Sequence, residues 1–258
     1  MNNIIIKVEN LVKTFGGLVA LNDCSLEIKD KAITGIIGPN GSGKTTLFNV
    51  ITGNLKPDTG KVFYNGVEIT NEESHDLFHL GVLRTFQIAH EFSNMTVIEN
   101  LMVVPGNQKG EKLLYSLMNS QKIKKEDELI KDKAMEVLKF LKIEHLKNER
   151  AGNLSGGQKK LLELARTMMV DAKIVFLDEV GAGVNKTLLR DISDSILKLN
   201  QDKGYTFCMI EHDFNFISEL CDPVIVLAEG SVLFKGSAEE VKSNEQVIES
   251  YLGKGLKK

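Results

Sequence analysis

The run Gly38-Pro39-Asn40-Gly41-Ser42-Gly43-Lys44-Thr45 has the spacing G-x-x-x-x-G-K-[ST] of a loop that holds polyphosphates. Its glycines let the backbone curl until several N–H groups converge on phosphate oxygens, and a helix starting beside it adds the positive end of its dipole. In that arrangement Lys44 reaches the β- and γ-phosphates and the Thr45 hydroxyl ligates Mg2+. Far downstream, Ile174-Val175-Phe176-Leu177 is an apolar strand that ends on two carboxylates, Asp178 and Glu179. An acid at the C-terminal end of a buried strand sits where ligands bind in open α/β sheets. Asp178 is the natural partner for Mg2+, directly or through water, and Glu179 can orient or deprotonate an attacking water. His212, in Ile210-Glu211-His212-Asp213, follows another strand to the same edge, where a neutral imidazole can hydrogen-bond the γ-phosphate or the water. Gln87, in Arg84-Thr85-Phe86-Gln87, can reach Mg2+ or water.

A second glycine-marked helix start is Leu154-Ser155-Gly156-Gly157-Gln158. Ser155 and Gln158 have the spacing of a capping box, which accounts for those two residues by local structure alone. Capping does not account for two consecutive glycines in a first turn, where they weaken a helix. Close approach of backbone to a ligand does. Without a lysine of its own, this second anion-ready start is expected to complete a nucleotide site on another subunit.

The elements that must position these groups alternate. Ile33–Ile37, Ile174–Leu177, Thr206–Ile210 and Val224–Ala228 read as buried strands, and Thr45–Thr52 and Lys159–Val170 read as helices. Alternation of this kind predicts a parallel sheet covered by helices. Ile4–Glu9, Asn22–Ile28 and Lys61–Tyr64, with turns at Gly60 and Asn65-Gly66, read instead as antiparallel strands. Between residues 96 and 148 the pattern turns helical: Ile130, Ala134, Leu138 and Leu141 share one face, and the charge-rich stretch Lys122–Lys133 is a solvated one. The expected fold is α/β, a single nucleotide-binding domain over 1–258. Its antiparallel parts cover about 1–30 and 60–70, its core about 31–88 and 160–236, and a helical insertion about 89–159, with a tail over 237–258.

Composition narrows the class. The 258 residues are 42% hydrophobic and 26% charged, which suits a globular chain. A formal net charge of −3 argues against nucleic acid as a partner. No apolar run approaches the roughly 18 residues of a membrane span, and the first residues lack the basic start and longer apolar segment of a secretory signal. Cys24, Cys208 and Cys221 are too scattered for a disulfide framework or zinc site and read as buried thiols. No Asn-Lys-x-Asp guanine-reading motif occurs, which counts against a GTPase.

Taken together, these motifs resemble the ABC ATPase family along essentially the whole chain. Gly38–Thr45 matches its Walker A loop, Gln87 its Q-loop and Leu154–Gln158 its LSGGQ signature. Ile174–Glu179 matches Walker B, and His212 the switch histidine. The resemblance implies a P-loop NTPase (RecA-like) core with an antiparallel β subdomain and a helical insertion. It implies ATP and Mg2+ as ligands, with Thr46 joining the ATP-binding loop and Phe15 stacking on adenine. It also implies head-to-tail pairing with a second ABC ATPase subunit, identical or not, so that each ATP lies between one loop and the partner's LSGGQ.

Thr14–Leu21, Arg84–Gln87, Met95–Leu101 and the ending Ile248–Gly253 look like the branched-chain amino acid importers' LivG-type ATPase subunits. Urea and short-chain amide importers use near-identical subunits, and ABC proteins outside transport are a further alternative. The partners so implied are integral membrane permease subunits and, indirectly, a solute-binding protein. The chain would sit peripherally at the cytoplasmic face of the cell membrane. Two departures stand out: Val180 replaces the proline usual after the acidic pair, and Asn185 replaces the usual aspartate of the D-loop, as is common in this branch.

Overall fold

The computed structural model describes residues 3–85, 91–106, 108 and 120–252. The chain divides into two compact units, one of Met1–Gln87, Lys173–Ala182 and Leu197–Lys258, the other of Ile88–Ala172 and Gly183–Ile196. In chain order the strands are β1 (Ile4–Phe15), β2 (Leu18–Lys29), β3 (Ile33–Ile37), β4 (Thr59–Tyr64), β5 (Val67–Glu68), β6 (Val82–Arg84), β7 (Ile174–Asp178), β8 (Thr206–Ile210), β9 (Val224–Ala228) and β10 (Ser231–Gly236). All belong to the first unit.

They form two sheets, an antiparallel one of order β2-β1-β4-β5 and a second of order β10-β9-β3-β8-β7-β6. In the second sheet only β10 runs antiparallel, against β9; the other neighbours are parallel. Strands β3, β7 and β8 are buried at every position, which is why they read as continuous apolar runs rather than alternating ones. Strands β1 and β2 run further than their alternation suggests. Their register shifts between Val8 and Leu11, where Asn10 (φ 48°) and Asp23 (φ 53°) adopt left-handed backbone and Asn10 Nδ2 donates to Asp23 Oδ1 at 2.6 Å. Such a bulge breaks the period-two pattern without ending the strand.

One apolar cluster joins the two sheets and the helix Lys44–Ile51, with Ile6, Leu11, Leu21, Phe48, Phe176 and Ile225 among its buried members. Phe48 meets Phe176 edge to face, centroids 5.0 Å apart. Residues past Gly236, expected as a tail, form two helices, Ala238–Ser243 and Glu245–Leu252. Ser237 and Glu240 make a capping box at the first, and Val241 and Val247 are buried. The alternation of apolar positions is too short there to have signalled a helix.

The second unit is helical, with Val97–Met102, Ser120–Phe140, Gly156–Met168 and the first part of Lys186–Lys203. On Ser120–Phe140, Ala134 and Leu138 are buried, with Leu141 just beyond, and Ile130 is half-buried, as their spacing requires. Thr96 caps Val97–Met102 in a box with Glu99. Inside that helix the buried Asn100 accepts the Phe92 N–H at 2.8 Å and donates to the Thr96 carbonyl at 2.9 Å, pinning the preceding loop. Among the described residues no helix is long and apolar enough to cross a membrane, and all three cysteines are free and buried.

The Phe48–Phe176 contact lies between the loop-bearing helix and β7, so its loss should be felt globally. Phe176→Ala is expected to lower unfolding free energy by about 3–5 kcal/mol, read from a urea titration.

Candidate nucleotide site

Strands β3, β8 and β7 are consecutive neighbours, and Ile36 and Asp178 both pair with Ile210. The chain therefore leaves all three strands at one level, through Gly38, Glu211 and Glu179. At Gly38 a Cβ would lie 2.1 Å from the Leu227 carbonyl oxygen. At Gly43 (φ 98°) it would lie 2.4 Å from that of Ala20. Both contacts are with backbone, so neither position admits a side chain. Gly41 (φ 79°) faces open space and is held to glycine by conformation alone. Gly43 is also the N-cap of Lys44–Ile51, so no side chain engages the first-turn N–H groups from that position.

Lys44, 7% exposed, folds back over the loop. Its Nζ donates to the Gly38 carbonyl at 2.8 Å and the Pro39 carbonyl at 3.0 Å, with Ser42 Oγ at 3.5 Å. Burial pushes its pKa down, and the carboxylates of Glu179 and Asp178 pull it partly back. Burial raises the pKa of the Tyr251 phenol, in the C-terminal helix, and the Gly38 N–H near it pulls it partly back. Nothing in the sequence around Tyr251 pointed to the loop.

Asp178 is 3% exposed and Arg84 Nη2 donates to its Oδ2 at 2.7 Å, while Arg84 Nη1 donates to Asn49 Oδ1 in the helix Lys44–Ile51. Arg84 thus ties β6, β7 and the loop's helix together, a role its type alone did not reveal. A hydroxyl at Thr45 and a carboxylate at Asp178 are hard oxygen donors of the kind Mg2+ takes. Gln87 lies outside the described residues.

Glu179 has left-handed backbone, φ 50°. For a non-glycine residue that costs of order 1–3 kcal/mol, a strain that persists where surroundings over-determine it. Here the Glu179 N–H donates to the Ile210 carbonyl at 3.0 Å, and His212 Nε2 meets Glu179 Oε1 at 2.8 Å. The next turn is held by a group whose type and spacing carry no signal of that role. Buried Glu211 accepts the Gly181 N–H at 2.8 Å. Burial raises its pKa, hydrogen bonds from the Gly181 and His212 amides lower it, and the nearby Glu179 raises it. Val180, the first departure from the family pattern, is buried, and Glu211 holds the amide of the residue after it.

Phe15 ends β1 half-exposed, with Lys13 Nζ 5.7 Å from its ring centre. Asp58 braces this end: its Oδ2 accepts the Thr14 N–H and hydroxyl, each at 2.7 Å, and its Oδ1 accepts Lys13 Nζ at 2.7 Å. Those bonds hold the Asp58 pKa at about 2.

In the second unit Ser155 and Gln158 form the expected capping box, Gln158 Oε1 accepting the Ser155 N–H at 2.9 Å. The two glycines that capping left unexplained have different reasons. A Cβ on Gly157 would come 2.2 Å from Leu188 Cδ2, whereas one on Gly156 would meet nothing within 4 Å. Packing inside the chain accounts for Gly157, and Gly156 faces open space. Leu154 is buried beneath them. Asn185 caps the helix Lys186–Lys203, its Oδ1 accepting the Leu188 N–H at 3.0 Å, which an amide oxygen does as well as a carboxylate.

Four outcomes follow from these contacts. Glu211→Ala, which leaves the Gly181 N–H unpaired, should cost about 1–3 kcal/mol of stability in a denaturant titration and depress nucleotide turnover. Glu211→Gln, whose amide oxygen still accepts, should restore most of both. Gly157→Ala should shift the thermal midpoint downward because Leu188 must move, while Gly156→Ala should leave the midpoint within error and lower turnover.

Residues 21–182 match the model of the ABC transporter family, and residues 231–257 match that of the branched-chain amino acid ATP-binding cassette transporter. The chain is 43% identical to the probable branched-chain amino acid transport ATP-binding protein LivG of Archaeoglobus fulgidus, over 96% of this chain and 95% of that one. It superposes on the ADP conformation of MJ1267, an ATP-binding cassette of an ABC transporter, with a TM-score of 0.82 and 41% identity over 97% and 99% of the two chains. It also resembles the dimeric structure of MJ0796, a bacterial ABC transporter cassette, at 25% identity and a TM-score of 0.76 over 91% and 99%. With the loop, the acidic strand end and the signature helix all in one chain of matching length, this protein belongs to the ABC transporter family as an ATP-binding cassette of its branched-chain amino acid branch.

Proposed function

We propose that this chain is the ATP-hydrolysing subunit of an importer for branched-chain amino acids, acting at the cytoplasmic face of the membrane. It would pair with a second cassette and dock on integral permease subunits. The observation that carries the catalytic part is the Glu179 carboxylate, held by His212 at 2.8 Å on strained backbone at the strand edge that also bears the Lys44 loop.

In this reading Lys44 exchanges its contacts with the Gly38 and Pro39 carbonyls for phosphate oxygens, while the loop N–H groups and the first turn of Lys44–Ile51 bind the rest. Phe15, steadied by Asp58, offers its half-exposed ring to the base. Thr45, Asp178 and Gln87 are the residues to hold Mg2+, which when bound neutralises charge on the transferring phosphoryl group. Arg84 keeps the Asp178 carboxylate turned for that task. Glu179 orients the water and takes its proton, and His212 fixes the carboxylate until the γ-phosphate arrives. Ser155 and the Gly156 backbone act on the partner's nucleotide, so one chain supplies two unlike halves of two sites. The surface near Gln87, around Ile88–Ile98, would receive a permease helix; of it the described residues begin at Glu91, where the Lys159–Glu91 ion pair at 2.6 Å braces the chain and Phe92 is half-exposed.

The test is Glu179→Gln in the assembled transporter. It should bind ATP as tightly as the parent while losing ATP turnover and leucine uptake together. Near-normal turnover overturns the role of Glu179, and failure of the unmutated transporter to take up leucine, isoleucine or valine overturns the solute.

A further inference from the structure

The short helix Ser74–His79 lies between β5 and β6 and takes no part in the site above. Its sequence, Ser-His-Asp-Leu-Phe-His, buries Leu77 and turns His75 and His79, four residues apart, to one outer face. Their Nε2 atoms stand 3.3 Å apart. The rings meet nearly edge to face, centroids 4.7 Å apart at 78°, so they converge on the nitrogens rather than stack.

That separation has a chemical meaning. Two imidazoles bound to one tetrahedral ion at about 2.0–2.1 Å must hold their nitrogens about 3.3–3.4 Å apart, the edge of the tetrahedron. The observed spacing already equals that edge. The second ring nitrogen of His75 also faces a carboxylate, with Nδ1 3.4 Å from Asp76 Oδ1. A carboxylate behind the non-ligating nitrogen places the proton on Nδ1 and leaves the Nε2 lone pair for a metal. His79 is steadied by Phe78, which meets its ring edge to face at 5.7 Å.

We propose that His75 and His79 form a bidentate site for a borderline divalent transition ion, Zn2+ or Cu2+. Among the described residues no group of three or more His, Cys, Asp or Glu side chains gathers into a metal site, so water fills the remaining positions. In the free protein one Nε2–H donates to the other Nε2. On binding, both Nε2 lone pairs go to the ion, and the His79 proton leaves Nε2 while Nδ1 takes one from solvent. The set is nitrogen-based, so Mg2+, which prefers oxygen and keeps its waters, does not compete. Cu2+ binds more tightly than Zn2+, as the general order for such ligands requires.

Titration of the full chain with Zn2+, Cu2+ and Mg2+, followed by calorimetry and by the copper absorption band, tests this. The expected result is one ion per chain for Cu2+ and Zn2+, none at this site for Mg2+, and at least a tenfold loss of affinity in both His75→Ala and His79→Ala. His145→Ala, in the separate short turn Glu144–Leu146, should bind as the parent does. Because both histidines are at the surface, the metal-free variants should melt like the parent, which separates lost ligation from lost folding. Unchanged affinity in either variant overturns the proposal, as does equal loss in His145→Ala. Absence of a one-to-one site in the unmutated chain would overturn it too.

Discussion

Three buried parallel strands that stop at the same level are the constraint on which the rest of this molecule depends. Because Ile36, Ile210 and Asp178 lie side by side, the phosphate loop, the Glu211-His212 pair and the Asp178-Glu179 pair leave the sheet together. A slip of one residue in a strand buried on both faces would turn every side chain to the opposite face and move an acid off the edge. The apolar cluster that spans both sheets sets this register, and Phe48 against Phe176 joins the loop's helix directly to the strand that delivers the acids.

On that frame the charges are arranged so that each has a defined partner. Arg84 and Asp178 form a buried ion pair, an arrangement in which removal of one member alone costs about 3–5 kcal/mol. Its return lies in geometry, since Arg84 also grips Asn49 and so holds the loop's helix to β7. Lys44 gives its donors to the loop's own carbonyls, which keeps a buried ammonium satisfied. Glu179 sits on left-handed backbone because the Ile210 carbonyl and His212 fix it from either side, and Glu211 clamps the turn beyond. Strain at the acid is thus balanced by contacts from the neighbouring strand's end.

The signature helix shows how local and outside demands share a short motif. Ser155 and Gln158 satisfy each other, Gly157 makes room for Leu188, and Gly156 alone opens to space. A chain with a phosphate-loop motif and a separate glycine-marked helix start suits an assembly in which two copies or relatives exchange those parts. The C-terminal helices bring Tyr251 near the Gly38 amide from the segment that matches the branched-chain amino acid family model.

Much of this was legible in the residues alone. The loop spacing, the apolar strand ending on two acids, the capped glycine helix and the fully apolar strands are local signals. Each follows from backbone geometry within a few positions, and together they specified the α/β class, the nucleotide and the family. The length of β1 and β2 was not legible, because the bulge at Asn10 and Asp23 breaks alternation and is stabilised by a partner strand. Nor were the roles of Arg84, Glu211, Asp58 and Tyr251, whose types are common on any surface and whose partners lie far along the chain. Burial and hydrogen bonding across distant segments decide which of many acids and bases matter. Only the folded chain brings Arg84 to Asp178, Glu211 to Gly181 and two helix-borne imidazoles to the edge length of a tetrahedron.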